Sequence, residues 1–191
     1  MTTTGVDLYW LPLGAGGWFV RANGRAYETL AAVVQRRERC DLYHSALEVR
    51  VEGVRHVIEQ APVWNLKQRA RGVVAEGPVG APWLGRFKAF RYEVRRWRDG
   101  VIPDRGEAVD SPRRLCSDPD RAQRLLDLVP FVPTATWGRD EQRAGEMWNS
   151  NSLISWLLAR SGHDTSAIAA PAGGRAPGWR AGLVVAGRAS R

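Results

Sequence analysis

Cysteine is nearly absent from this chain. Its 191 residues hold Cys40 and Cys116 and no others. The pair lacks Cys-x-x-Cys spacing, so no zinc site is readable from it, and a reduced, cytoplasmic chain is the simplest expectation. Lysine is as scarce: of 28 basic residues only Lys67 and Lys88 are lysines. No apolar run approaches the roughly 18 residues of a membrane-spanning helix. The first twenty residues lack a basic leader region and Asp7 interrupts them, so no signal peptide is expected. The glycines at Gly14, Gly16 and Gly17 lack the lysine of a phosphate-binding loop and the spacing of a dinucleotide fingerprint. Neither a cofactor nor a metal is expected.

What is present is apolar and basic. The hydrophobic fraction is 44% and includes nine Trp, enough for one aromatic-rich core. The net charge is +8 and the pI about 10.4. A balance this basic raises nucleic acid or an anionic membrane surface as a partner. The arginines are dispersed rather than gathered in a block, and no nucleic-acid motif appears, so a nucleic-acid binder ranks last. A membrane surface stays open, as does oligomeric state.

The pattern along the chain reads as α+β in a single domain over 1–191. Residues 6–13 form a β-rich run, the glycines at 14–17 a turn, 18–21 a second short strand, and 27–39 an amphipathic helix with a basic end. Asp41 to Val51 alternates as a strand, with Tyr43, Ser45, Leu47, Val49 and Val51 on one face and Leu42, His44, Ala46, Glu48 and Arg50 on the other. Glu52-Gly53 turns into a hairpin partner at 55–60. A loop-rich insertion covers about 61–86, with a short strand at 72–76. A long strand follows at 87–97, with Arg91, Glu93 and Arg95 placed to pair across strands. Residues 101–116 read as loop. Ser117-Asp118-Pro119-Asp120 opens a helix reaching Leu128. Beyond Gly162 the tail to 191 reads as loop, with His163 exposed and a short strand or helix turn at 183–185.

The stretch that organises the rest is Glu146 to Leu158. Asn149, Ser150, Asn151 and Ser152 carry helix-start character, and Leu153 to Leu158 form a helix apolar on all sides, hence buried. Such a start presents small polar groups beside free N–H groups and the positive end of the dipole. It either caps a core helix or holds a nucleophile or anion. His56 reads as a packed histidine. His44, on a strand, with Glu59 or Gln60 on the next, supplies base and orienting group in the logic of a triad. Cys40, just before that strand, and Cys116, just before a helix, are replacement nucleophiles without a motif around them.

Tyr43-His44-Ser45-Ala46-Leu47-Glu48-Val49 resembles the histidine strand of the circularly permuted papain-like fold, the group of permuted NlpC/P60 proteins and lecithin:retinol acyltransferase-like enzymes. Asn149-Ser150-Asn151-Ser152-Leu153 resembles that group's Asn-Cys-Asn-Ser segment at the head of its core helix. The resemblance covers two short segments, 41–60 and 147–158. It implies an antiparallel sheet on a buried core helix, Ser150 at the nucleophile position, His44 as base, and Glu59 or Gln60 orienting the imidazole. The family residue is Cys, and a serine hydroxyl gains far less from a helix start than a thiol does. Ser150 is then a true serine nucleophile, a relic in a binding-only protein, or an engineered replacement. The reading that follows is a hydrolase or acyltransferase acting on an amide, ester or thioester of a small-molecule, acyl or peptide substrate, with backbone N–H groups near Ser150 and Asn151 holding the oxyanion. The alternative is an inactive ligand-binding protein on the same fold.

Overall fold

A computed structural model describes residues 4–13, 40–63 and 71–188. The expected turn at 14–17, strand at 18–21 and helix at 27–39 lie outside the described residues.

An antiparallel sheet carries the architecture. Its strands are β1 (Gly5–Pro12), β2 (Asp41–Val51), β3 (Val54–Pro62), β4 (Val73–Pro78), β5 (Arg91–Arg98) and β6 (Val109–Cys116), in the order β4-β5-β3-β2-β1-β6. A two-residue strand, β7 (Gly174–Arg175), pairs parallel with the start of β2. The hairpin between β2 and β3 turns through Glu52 and Gly53, both at positive φ, the geometry that matches strand twist. β6 was expected as loop because Pro112 interrupts it. It is an edge strand, where a missing N–H costs no ladder bond. The described part of the insertion is more ordered than expected, with β4 ending at Pro78 and a 3-10 turn at Pro82–Arg86; the strand expected from 87 begins only at Arg91, after a second 3-10 turn at Lys88–Phe90.

The two sheet faces are chemically different. Val6, Leu8 and Trp10 of β1, Tyr43, Leu47 and Val49 of β2, Ile58 of β3 and Tyr92 and Val94 of β5 form one apolar face. Three helices supply the facing side chains: α1 (Pro119–Leu128), α2 (Ser150–Arg160) and α3 (Trp179–Ala186). Asp118 caps α1, accepting from the N–H groups of Asp120 and Arg121. From Ser150 to Leu158 every residue of α2 is buried, as its apolar surround requires. The opposite sheet face packs Tyr9, Leu11, Ala46, Val57 and Ile102, and beside them it buries charge. There Arg95 bridges Glu59 at 2.7 Å and Glu93 at 2.9 Å, and Arg71 reaches Glu93 at 2.9 Å. Burial raises the Glu59 pKa despite the Arg95 guanidinium beside it, so desolvation outweighs attraction in this pair.

The tail beyond Gly162 is not the loose segment the glycines and prolines suggested. It returns over the start of α2 and ends in α3. Gly182 of α3 lies so close to α2 that an added Cβ would sit 2.1 Å from both the Ser152 carbonyl oxygen and the Ser155 hydroxyl. No helix among the described residues is long and apolar enough to cross a membrane.

Candidate functional site

The head of α2 is built as a cap. Asn149 Oδ1 accepts from the N–H groups of Asn151 (2.9 Å) and Ser152 (3.3 Å), and Ser152 Oγ accepts from the Asn149 N–H (3.1 Å). This reciprocal arrangement satisfies helix-end donors that would otherwise be orphaned. Asn151 stitches three elements together. Its Oδ1 accepts from Ser45 Oγ at 2.9 Å, and its Nδ2 donates to the carbonyls of Tyr43 and Pro177, each at 2.9 Å. Ser152 Oγ donates to Gly178 O at 2.7 Å. Gly178, at φ +85°, leaves no room for a Cβ, which would lie 2.5 Å from Asn149 Oδ1. The polar run therefore holds the tail and the sheet to the helix. The Asn151 N–H is spent within the cap, which removes half of the expected oxyanion hole.

Ser150 is buried, and its hydroxyl has no hydrogen bond among the described residues. His44 does not meet it. Successive strand residues point to opposite faces. Ser45 faces α2, where it bonds Asn151; His44 faces the other way, beside its β1 partner Leu11. Its half-buried ring has no hydrogen bond among the described residues, and burial lowers its pKa to about 4. A histidine this acidic is a poor general base near neutral pH. Glu59 shares the His44 face but is held by Arg95. Gln60 lies on the α2 face, buried, with neither amide atom partnered among the described residues. The expected trio is thus divided by the sheet, with Ser150 on one side and His44 and Glu59 on the other.

A nucleophile and a base do meet elsewhere. Cys116, the last residue of β6, places Sγ 3.1 Å from Nε2 of His163. His163 was expected to be exposed; it is buried, and the end of α2 explains why. Gly162 adopts φ +82°, its N–H donates to Ala159 O at 3.2 Å, and the His163 N–H donates to Leu158 O at 2.9 Å. That is a Schellman termination, which folds the second residue after the cap back against the helix end.

The ring's tautomer follows from its other neighbour. Ser161 Oγ lies 2.8 Å from His163 Nδ1. The single Ser161 hydroxyl proton is directed to the carbonyls of Leu157 (2.7 Å) and Leu158 (3.2 Å). With that proton assigned to a carbonyl, the Ser161 oxygen accepts from Nδ1–H, and in this tautomer the Nε2 lone pair is left to the Cys116 thiol. Burial, and then the Arg121 charge, lower the His163 pKa, so the ring is neutral at pH 7.

His163 also walls a cavity of about 240 Å³, lined in addition by Arg113, Arg114, Arg121, Asp164 and Ile168. Arg114 is committed to Asp7 at 2.5 and 3.2 Å. Arg113 donates once to Ala167 O and Arg121 pairs with Asp118 at 3.4 Å, which leaves each guanidinium further donors. Cys116 is in no disulfide. Among the described residues no three His, Cys, Asp or Glu side chains gather closely enough to hold a metal ion. Comparison of the chain with family models, curated proteins and solved structures found no match.

Proposed function

We propose that the protein is a thiol-dependent hydrolase or acyltransferase, with Cys116 as nucleophile, His163 as base and Ser161 holding the imidazole. The reaction class is the one expected from sequence; the residues differ. The observation that carries it is His163 Nε2 at 3.1 Å from Cys116 Sγ, with Ser161 Oγ 2.8 Å from Nδ1 on the other side of the ring. The His163 ring both meets the half-buried Cys116 and walls the arginine-lined cavity, whose lining includes the neighbouring Leu115 but not Cys116 itself.

In this mechanism the thiol proton passes to Nε2 and Sγ attacks the acyl carbon. The bond from that carbon to the leaving oxygen, nitrogen or sulfur breaks, and the leaving group takes the proton from Nε2. The product is a thioester on Cys116. Water, or an acceptor alcohol or amine, then adds to the thioester carbon with its proton passing through Nε2, which releases the acyl product and restores the thiol. Arg113 and Arg121 favour substrates that carry a carboxylate or phosphate. The permuted papain-like relationship is supported by the two sequence segments and by the antiparallel sheet on a buried helix. Under this proposal the nucleophile lies at the far end of that helix from the position the relationship implies.

The test is thiol reactivity and turnover measured together. With an activated acyl ester, Cys116→Ser abolishes turnover while Cys40→Ser and Ser150→Ala leave it intact. Iodoacetamide alkylates Cys116 at neutral pH, and His163→Asn slows that alkylation about tenfold or more by removing the proton acceptor. Turnover that survives Cys116→Ser, or alkylation unchanged in His163→Asn, refutes the assignment.

A further inference from the structure

The connection between β4 and β5 exposes an unusual set of side chains. Trp83, Phe87 and Phe90 are 61%, 49% and 44% exposed, within eight residues of one another. Large aromatics at this exposure are otherwise found where a surface is to be covered. The segment does not hang loose. Val79 N–H donates to Phe90 O at 2.8 Å and closes the loop at its base. Inside it, Leu84 donates to Ala81, Phe87 to Leu84 and Phe90 to Phe87, each at 2.9–3.0 Å. Arg91 Nε crosses the loop to Gly85 O at 2.5 Å. The aromatic rings are therefore held outward by a backbone already fixed, and small residues at Gly80, Ala81, Gly85 and Ala89 leave them standing clear.

Along the loop itself the charge has one sign. Between Glu76 and Glu93 there is no acidic residue, whereas Arg86, Lys88 and Arg91 fall inside the span. Arg91 is turned to Glu76 at 3.3 Å. Arg86 and Lys88 remain at the exposed edge with the aromatics. Arg86 sits over the rings of both Trp83 (5.3 Å to the centroid) and Phe87 (5.0 Å). The guanidinium covers one face of Trp83 and one of Phe87, surface that nucleobase stacking would otherwise use. Their edges and the cations beside them suit the boundary between lipid headgroups and acyl chains, where aromatic bodies bury and basic heads meet anionic lipid.

We propose that the 79–91 loop is a docking surface for an anionic lipid bilayer. Trp83, Phe87 and Phe90 enter the interface, and Arg86 and Lys88 meet the headgroup charge. The surface is independent of the Cys116 chemistry and stands or falls separately from it.

Co-sedimentation of the full chain with vesicles decides this. One set is phosphatidylcholine alone, the other phosphatidylcholine mixed with phosphatidylserine. The wild type sediments with the mixed vesicles and not with the neutral ones, and added salt releases it. The double variant Trp83→Ser/Phe87→Ser binds at least about tenfold more weakly, and Lys88→Gln about fivefold, the worth of one cation at a charged surface. Melting temperatures stay near wild type, because these side chains are exposed. Three results overturn the proposal: no sedimentation with either vesicle; sedimentation that the double variant leaves unchanged; or equal sedimentation with both vesicle types. Tight binding of oligo(dT) that the double variant abolishes, without vesicle binding, assigns the loop to single-stranded nucleic acid instead.

Discussion

Acidification should destabilise this protein, and His44 should account for a measurable share of the loss. His44 titrates near 4 in the fold because burial disfavours its charged form, and near 6.5 in the unfolded chain. Above pH 6.5 the ring is neutral in both states and contributes no pH dependence. As pH falls below 6.5 the unfolded chain takes up the proton first, so stability declines until pH 4, where the folded ring protonates too and the loss is complete. One group in this window costs about 1.4 kcal/mol per pH unit, hence about 2 kcal/mol between pH 6.5 and 5. The ring keeps some contact with solvent, so this is an upper bound. The assay is urea unfolding at pH 7 and pH 5, with stability taken from the midpoint at constant slope. His44→Gln is the reference, because it removes this proton site and leaves the others in place. His56 and His163 are also lowered and act in the same direction, Glu59 is raised and acts in the opposite one, and all three cancel in the comparison. The acid-lability of the wild type should exceed that of His44→Gln by 1–2 kcal/mol. Equal loss in the two proteins would refute the view that this imidazole is held neutral by its burial.

Packing and charge give three further expectations. Gly182→Ala gains about 1 kcal/mol of helix propensity. It also drives a Cβ to 2.1 Å from a backbone oxygen of α2 that cannot yield, so the net change should be a loss of about 2 kcal/mol in denaturant unfolding; a stabilised variant would contradict the tight α2–α3 contact. Asn149→Ala should cost at least about 1 kcal/mol, since it removes the cap and the tie to Pro177 together; an unchanged midpoint would mean the cap is replaceable by water. Arg95→Met should cost about 3–5 kcal/mol by leaving Glu59 and Glu93 buried without their shared cation. Adding Glu59→Leu should recover part of that loss, and a double variant worse than the single would show that the pair stabilises the fold outright.

The strands and helices were legible where side-chain periodicity and capping chemistry agree. Asp41 to Val51 alternates without a break and forms β2 over those bounds. Asp118 with Pro119 marks the start of α1, and Asn149 that of α2. Arg91 and Arg95 pair across strands as their alternation suggested, while Glu93 meets Arg95 along its own strand. Of the helix at Trp179–Ala186 only a short strand or helix turn at 183–185 was legible, because a glycine at its centre and a loop-like approach conceal the rest. β6 was hidden for a related reason: Pro112 is tolerated only because the strand lies at an edge, and edge position is a property of the whole sheet.

Which residues share a site is harder to read than which residues share a strand. Alternation already put His44 on the face opposite Ser45, but nothing in the chain said which face the helix at Ser150 would cover. Asn151 decides it by bonding Ser45 and the Tyr43 carbonyl. Cys116 and His163 pose the opposite problem, since they lie 47 positions apart in segments both read as loop. One signal did exist. A helix ending in Ser161-Gly162 favours a Schellman turn, and that turn habitually packs its next residue against the helix. A histidine in that place is pressed onto the protein, and the serine before it is within reach of Nδ1. The same helix thus spends its polar start on holding the chain together and orients an imidazole at its end. If catalysis resides in this protein, the prediction is that Ser161→Ala reduces turnover and Cys116 alkylation together while leaving folding intact. Removing the acceptor behind Nδ1 frees the tautomer without touching the thiol. A Ser161→Ala protein with full activity would show that the imidazole needs no such support.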